Sequence, residues 1–346
     1  MKNILLISAD RSTSAGTANN LGDAFLTDAL AMSLMDSGFE VQVADFGGAR
    51  LVGSLPRSPI LGTLSLVKAL WSTDSVVIGG GTLLQDDAPQ KLVGGLPRLL
   101  FVSAVTARLL GRKVAFFGVG CDSVERFMPR FLLGVALRMG RVWVRDEASQ
   151  GRCHSQFGKR VELAGDTSLL YHPDLGGGES RSLARASPDR GGRGAVVALN
   201  RSHSSALTLP IVEGLLAQYE RVDFLSMYQG HPVSDASDLP ADAASALSSV
   251  STDLSWEQAV SAISGASVVI ASRMHAMYIA AMVEVPLLAI SGSAKIDAFI
   301  DEFKVSSVDS LTGAGNPGVV PDAAAVRSAG LRVSLGMREL SDYLRS

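Results

Sequence analysis

A parallel α/β fold in two domains is what this sequence predicts. Three observations carry that reading: short runs rich in Val, Ile and Phe recur along the chain, segments of helical spacing separate them, and one Gly/Ser/Arg-rich stretch divides them into two sets. With 346 residues there is room for about two cores of ordinary size. At 47% hydrophobic and 19% charged residues, the chain lies far from the disordered class.

In chain order, "NILLIS" (3–8) predicts the first strand, and Leu21 to Ser37 a helix behind it. "EVQVADF" (40–46), "DSVVIGGG" (74–81), "KVAFFGVG" (113–120) and "RVWVRD" (141–146) continue the sheet, with a helix over Leu96 to Leu110. Residues 1–172 form the first domain on this reading. "DLGGGESRSLARASPDRGGRG" has no apolar period, so 173–194 is expected to be the linker. Domain two, 195–346, has strands at "AVVALNRS", "RVDFLSMY", "SVVIASR" and "VPLLAIS". Its helix "SWEQAVSAISGA" is capped by Ser255 and closes near Gly265. His231 to Asp253, rich in Ser, Ala and Asp, reads as a loop with one short helix. The last 25 or so residues suggest one or two helices, the last packing back on the first domain.

Composition also excludes. A net charge of -3 leaves no global basic field for nucleic acid, so any anion must be held by a local cluster. Two cysteines, Cys121 and Cys153, are too few for a disulfide framework and lack zinc-site spacing. The apolar start meets Asp10 and Arg11 without a cleavage pattern, and every longer apolar run is interrupted by charge or proline. A cytoplasmic location follows as the expectation. The stretch 130–144 is long and apolar enough to touch a membrane, but its apolar residues cover most of its circumference and run into a strand, which favours the core. No G-x-G-x-x-G follows the first strand, so a dinucleotide cofactor is not expected. Asp86-Asp87 lacks a histidine partner, so neither is a metal.

Open parallel sheets place ligands at the carboxyl ends of their strands, so candidates were sought there. Gly80 and Gly81 let backbone N–H groups approach an anion, and Thr82 is placed to cap the next helix; a tight turn forced by packing explains the glycines as well. Asn20 and Asp23 open the first helix, where Asp23 is either a dipole-complementing cap or a base toward a hydroxyl. In "ASRMHAM" (271–277) a strand hands over to a helix, putting Arg273 and His275 at a helix N-terminus. A guanidinium there suits carboxylate or phosphate, and the imidazole is expected to titrate near neutrality. Against this stands a structural reading: Arg273 bound to an aspartate, His275 a satisfied core ring.

Taken in order, "NLGD", "VVIGGGTLLQD", "FFGVG", "VWVRDEAS", "LAGDTSLL" and "SRMHAMYIAAMVEVPLLAISGSAKI" resemble the polysaccharide pyruvyl transferase family over most of the chain. The resemblance implies two Rossmann-like domains in a GT-B-like arrangement with the site in the cleft between them. It implies transfer of pyruvate from phosphoenolpyruvate to two hydroxyls of a sugar, forming a cyclic ketal on a cell-surface glycan, a glycolipid or a precursor. The acceptor could be lipid-linked, polymeric or nucleotide-activated. By motif, Arg273 and His275 fall in S-R-x-H, Arg145 in V-R-D, Asp23 in N-x-G-D, with Lys295 the downstream lysine. Met274 stands where leucine is usual, and "SGSAK" lacks the tyrosine of many relatives. Arg145, Arg273 and Lys295 would bind the donor anion, His275 would protonate it and Asp23 would serve as base; the first domain would hold the acceptor and the second the donor. Alternatives are a GT-B glycosyltransferase using a nucleotide sugar, or a non-catalytic sugar- or anion-binding relative. A peripheral membrane contact at the inner face and a homo-oligomer stay open.

Overall fold

A computed structural model describes residues 1–346 except 15, 48–49, 51–54, 89, 92–93, 173–192 and 231–232. Nearly all of the expected linker lies outside the described residues. The N-terminal domain runs β1 (Asn3–Ile7), α1 (Leu21–Asp36), β2 (Glu40–Asp45), β3 (Ser58–Pro59), α2 (Thr63–Trp71), β4 (Ser75–Leu84), α3 (Gly95–Leu109), β5 (Lys113–Cys121), α4 (Phe127–Arg138), β6 (Arg141–Val144), α5 (Glu147–Phe157) and β7 (Glu162–Leu163). The C-terminal domain runs β8 (Gly194–Ala198), α6 (Arg201–Ser204), α7 (Leu209–Leu216), β9 (Arg221–Leu225), α8 (Ala241–Ala246), β10 (Ser249–Ser251), α9 (Trp256–Ser264), β11 (Val268–Ala271), α10 (Met274–Met282), β12 (Leu287–Ile290), α11 (Ala294–Phe303), β13 (Ser306–Val308) and α12 (Ala323–Arg345).

Among the described residues both sheets are parallel, with orders β3-β2-β1-β4-β5-β6-β7 and β10-β9-β8-β11-β12-β13. Each reverses its winding once, between β1 and β4 and between β8 and β11. Ile4 pairs with Val41 on one side and Ser75 on the other; Val268 pairs with Ala195. Loops diverge at such reversals and leave a crevice at the strands' carboxyl ends.

Apolar runs make these strands because both faces are covered, which a parallel sheet requires. One face of the first sheet packs under α2, α3, α4 and α5 through Leu70, Leu100, Leu133 and Phe157. The other packs on α1, and there the core does not stop at the domain: Phe25, Tyr171, Trp256 and Tyr278 belong to one apolar cluster spanning both domains. Phe25, Tyr171 and Trp256 form an aromatic trio with centroids 5.1 to 5.2 Å apart. Trp256 also donates its indole N–H to Asp28 of α1 at 2.8 Å. Asp28 pairs in turn with the buried Arg57, which also binds Asp10. Helix α12 lies along the N-terminal sheet: Lys2 and Lys113 donate to carbonyls at its C-terminal end, and Trp143 donates to its Glu339.

Three expectations are corrected. Strand β4 continues to Leu84 with an irregularity between Thr82 and Leu84, and the next helix starts at Gly95, so Thr82 is a strand residue and no helix cap. The stretch before Asp253 holds a 3-10 turn (Asp235–Asp238) and the edge strand β10 as well as α8; three Ser/Val residues are too few to show a period. The apolar stretch at 130–144 is divided: Leu132, Leu133, Ala136 and Leu137 are buried, while Phe131 is half exposed.

The seam should be measurable as stability. Removing a buried tryptophan typically costs ~3–5 kcal/mol, so Trp256→Ala should unfold at a clearly lower denaturant midpoint, with Trp256→Phe in between because it keeps the stack and drops the Asp28 hydrogen bond. An alanine variant within about 1 kcal/mol of wild type, well below the usual cost, would show that the aromatic trio does not hold the domains together.

Candidate functional site

The two winding reversals face each other, and between them lies a cavity of about 280 Å³. It is lined by Asn20 and Asp23 of α1, Thr82 and Gln85 of the β4 end, Arg145 after β6, and Arg273, Met274, His275 and Lys295 from the C-terminal domain. Seven residues singled out from sequence therefore share one cavity.

Each arrives there for a local reason. Asn20 caps α1 by accepting from Gly22 N–H at 3.0 Å, and its amide donates to Asp23 at 2.9 Å. Asp23 thus fills the first turn of the helix and lines the cavity as well, so the cap and the site readings describe one residue. Ser272 accepts from Asn200 N–H at 2.9 Å, tying the end of β11 to that of β8. Arg273 is the N-cap of α10 with extended backbone (φ -100°, ψ 118°). The break before regular helix lets Arg273 and His275, two apart, turn into the same space. Lys295 sits in the first turn of α11 and reaches across the cleft to Asp122 at 2.7 Å and Thr82 at 3.4 Å.

Glycines set the closest approaches. A Cβ on Gly22 would lie 2.0 Å from Nδ1 of His275, so the ring rests directly on the first turn of α1 and only glycine fits. Gly81 has φ +87°, and a Cβ there would meet Asp23 Oδ1 at 2.9 Å. Gly80 (φ +77°) packs against Leu26. Neither Gly80 nor Gly81 lines the cavity: they let β4 pass close under α1 and its carboxylate, and the expected backbone contact with an anion is replaced by that packing role.

Charge is closely balanced. Arg273 binds the fully buried Asp235 through Nε at 2.9 Å and through Nη2. The structural reading weighed for it is therefore present, because a guanidinium at this depth needs a carboxylate; the pair uses two of its five N–H donors. Arg145 lies 3.1 Å from Asp146 and 3.8 Å from Asp166. Burial alone would lower its pKa, but those two carboxylates reverse the direction and keep it charged.

His275 and Asp23 are shifted in opposite directions. Burial pushes the imidazole down to about 4; Asp166 opposes that, and the Arg145 and Arg273 cations add to it. Burial and the Asp10 carboxylate push Asp23 up to about 7, against Arg11, Arg145 and the Asn20 hydrogen bond. The expectation of a ring titrating near neutrality is thus overturned, and the carboxyl takes that place. His275 Nε2 and Asp166 Oδ2, 3.9 Å apart, are buried without hydrogen-bond partners.

Asp166, Asp235 and Asp122 were not identified as site residues from sequence. Asp166 stood inside the quoted "LAGDTS"; Asp122 directly follows a strand end, a signal that was available; Asp235 sits in a Ser/Ala/Asp-rich stretch with no such signal. A second cavity of about 490 Å³ shares Arg145, Met274 and Lys295 with the first and continues past Asp166, Tyr278 and Glu302.

No curated protein matches. Among solved structures, UDP-GlcNAc 2-epimerase from Methanocaldococcus jannaschii aligns with TM-score 0.54 at 11% identity, covering 95% of this chain and 91% of that one. The Neisseria meningitidis UDP-GlcNAc 2-epimerase bound to UDP-GlcNAc gives 0.56 at 11%, covering 99% and 94%. A glycosyltransferase from Rickettsia africae gives 0.56 at 10%, covering 99% and 97%. These likenesses show the fold, two Rossmann-like domains in the GT-B arrangement. The family model for polysaccharide pyruvyl transferase matches residues 20–293, from the Asn20 cap to the Ser293 cap of α11, and the chain belongs to the polysaccharide pyruvyl transferase family.

Proposed function

We propose that this protein transfers the pyruvyl group of phosphoenolpyruvate to two hydroxyls of a sugar, releasing phosphate and leaving a cyclic ketal. The observation that supports it most is the cavity that gathers Arg145, Arg273 and Lys295 around Asp23 and His275. At about 280 Å³ it lies below the ~300–1,000 Å³ usual for drug-sized ligands, which favours a compact anion over a nucleotide sugar. Its cations are held in place by carboxylates before any ligand arrives, so donors are preorganised for the donor's carboxylate and phosphate. The larger adjoining cavity, with Asp166 and Glu302 to accept from hydroxyls, suits the acceptor. Both domains line both cavities, so in this reading donor and acceptor meet at the seam.

Protons decide the roles. Asp23, near 7, is about half protonated at neutral pH, and a bound anion raises its pKa further and fills that proton site. It protonates the methylene carbon of the enol, and the positive charge appears at the neighbouring carbon. The first sugar hydroxyl bonds to that carbon as neutral His275 takes its proton. Phosphate departs with the electrons of its C–O bond and carries off the proton held by His275, the second hydroxyl closes the ring, and its proton returns to Asp23. Here Asp23 is the acid and His275 the base.

Two outcomes test this. Binding of phosphoenolpyruvate, followed by calorimetry at pH 7 in buffers of different ionisation enthalpy, should take up protons at Asp23, and Asp23→Asn should remove that uptake while retaining binding. The sign follows from the raised carboxyl: the acid form is lost as pH rises through about 7, so kcat/KM should fall on the alkaline side. It should fall on the acid side only as His275 becomes protonated toward about 4. A profile that rises through pH 7, or uptake unchanged in Asp23→Asn, would reverse the assignment.

Anchoring is best tested at Lys295, which is a third exposed, because Arg273→Ala would leave buried Asp235 unpaired at a cost of ~3–5 kcal/mol. Lys295→Met should weaken phosphoenolpyruvate about tenfold, in line with one charged hydrogen bond, without lowering the melting temperature. If wild type binds nucleotide sugars and not phosphoenolpyruvate, the glycosyltransferase reading replaces this one.

A further inference from the structure

Three of the four helices on the outer face of the N-terminal sheet have an unusual charge; the fourth, α5, carries Glu147. Helices α2, α3 and α4 carry Lys68, Arg98, Arg108, Arg130 and Arg138 and not one Asp or Glu, in a chain whose net charge is -3. All five basic residues are exposed. Asp74, Asp86, Asp87, Asp122 and Glu125 lie in the connections between them; Asp86 is bound by Arg126, Asp87 accepts from Leu96 N–H and Asp122 holds Lys295.

The same helices leave large apolar side chains in water. Leu64 is 86% exposed, Trp71 68% and Phe127 77%, and Leu109 and Phe131 project similarly. Isolated exposed apolar residues are ordinary, but five on three neighbouring helices, one of them tryptophan, are not. Phe127 stacks on Phe131 with centroids 6.2 Å apart. Beside them α4 and α5 enclose a groove of about 660 Å³, lined by Phe127, Phe131, Val135 and Phe157, with Arg130 and Arg138 along it and Glu125 at one end.

Exposed cations beside exposed aromatic and aliphatic side chains on these helices, closest together around the α4 groove, match a bilayer surface that is anionic at its headgroups and apolar just below. We infer that the α2–α3–α4 face docks on an anionic phospholipid membrane, with Phe127 and Phe131 entering the acyl boundary and the five basic residues at the phosphates. A second copy fits worse: two such faces in contact would set cation against cation with no carboxylate on these helices to relieve it. Among the described residues no helix is long and apolar enough to cross a membrane, and docking from one side needs none. Phe127 lies just beyond β5, whose following residue Asp122 holds Lys295, so the cleft would open beside the lipid surface.

Vesicle flotation tests this on the full-length protein and needs no substrate, so its failure leaves the pyruvyl-transfer reading untouched. Vesicles containing phosphatidylglycerol should bind the protein at least about tenfold more tightly than pure phosphatidylcholine, less so at high salt, as expected for headgroup electrostatics. Phe127→Ser/Phe131→Ser and, separately, Arg98→Glu/Arg108→Glu should each reduce that binding about tenfold or more, with melting temperatures near wild type. Absence of binding to anionic vesicles, or full retention by both double variants, overturns the proposal. So would self-association in sedimentation velocity that the phenylalanine pair abolishes, which would give the face to a second copy.

Discussion

One contact organises the molecule: the His275 ring lying on Gly22, at the start of α10 in one domain and of α1 in the other. Two helix N-termini meet there, each placed by a strand end at the reversal of its sheet. For them to meet, α1 must be apolar on nearly all sides, since it faces its own sheet and also α9 and α10; Leu21, Ala24, Phe25, Leu26, Ala29 and Leu30 are all buried. The aromatic trio and the Trp256–Asp28 hydrogen bond continue the same contact along the helix. The cavity is the gap left where this seam reaches the carboxyl ends of the strands.

Asp23, His275 and Arg145 are deeply buried in that gap and crowded with charge, which explains the pKa pattern. A low-dielectric site penalises whichever form is charged, so an imidazole falls and a carboxyl rises unless a partner prevents it. Arg145 and Arg273 have such partners in Asp146, Asp166 and Asp235 and remain cations. His275 has only Asp166 at 3.9 Å, against two guanidinium groups, and Asp23 has Asp10 close enough to oppose the cations beside it. Burial sets the order of the two groups, lowering the imidazole and raising the carboxyl, and the fixed charges around each adjust it.

Much of this was legible in sequence where a local rule applies. Strand ends, the Ser255 cap, the break at Arg273 and the junction before α1 follow from periodicity and capping, and these place Asn20, Asp23, Arg273 and His275. Asp235 was not legible, because what makes it part of the site is a partner 38 residues away across the sheet edge. Nor was the true task of Gly80 and Gly81: a triplet at a strand end reads as an anion loop, and only the position of Leu26 and Asp23 above it turns it into a close packing surface. The seam was hidden for a related reason. A helix buried on every side has no amphipathic period, so α1 and α10 read as core helices without showing that the core belongs to two domains at once.

The two sides of the N-terminal sheet then differ for a single reason. Its inner helix is covered by the second domain, which lets α1 be buried on nearly all sides; its outer helices have only water or a partner beyond them. An outer helix of a soluble domain ordinarily mixes both signs of charge over its exposed face. Helices α2 to α4 keep the buried stripe that the sheet demands, through Leu66, Leu70, Leu100 and Leu133. Their outer positions depart from the ordinary pattern twice, in having one sign of charge and in exposing Leu64, Trp71 and Phe127. Neither departure helps the sheet, the seam or the cavity, so folding and catalysis leave both unexplained, and a surface that meets phosphate and hydrocarbon together accounts for both.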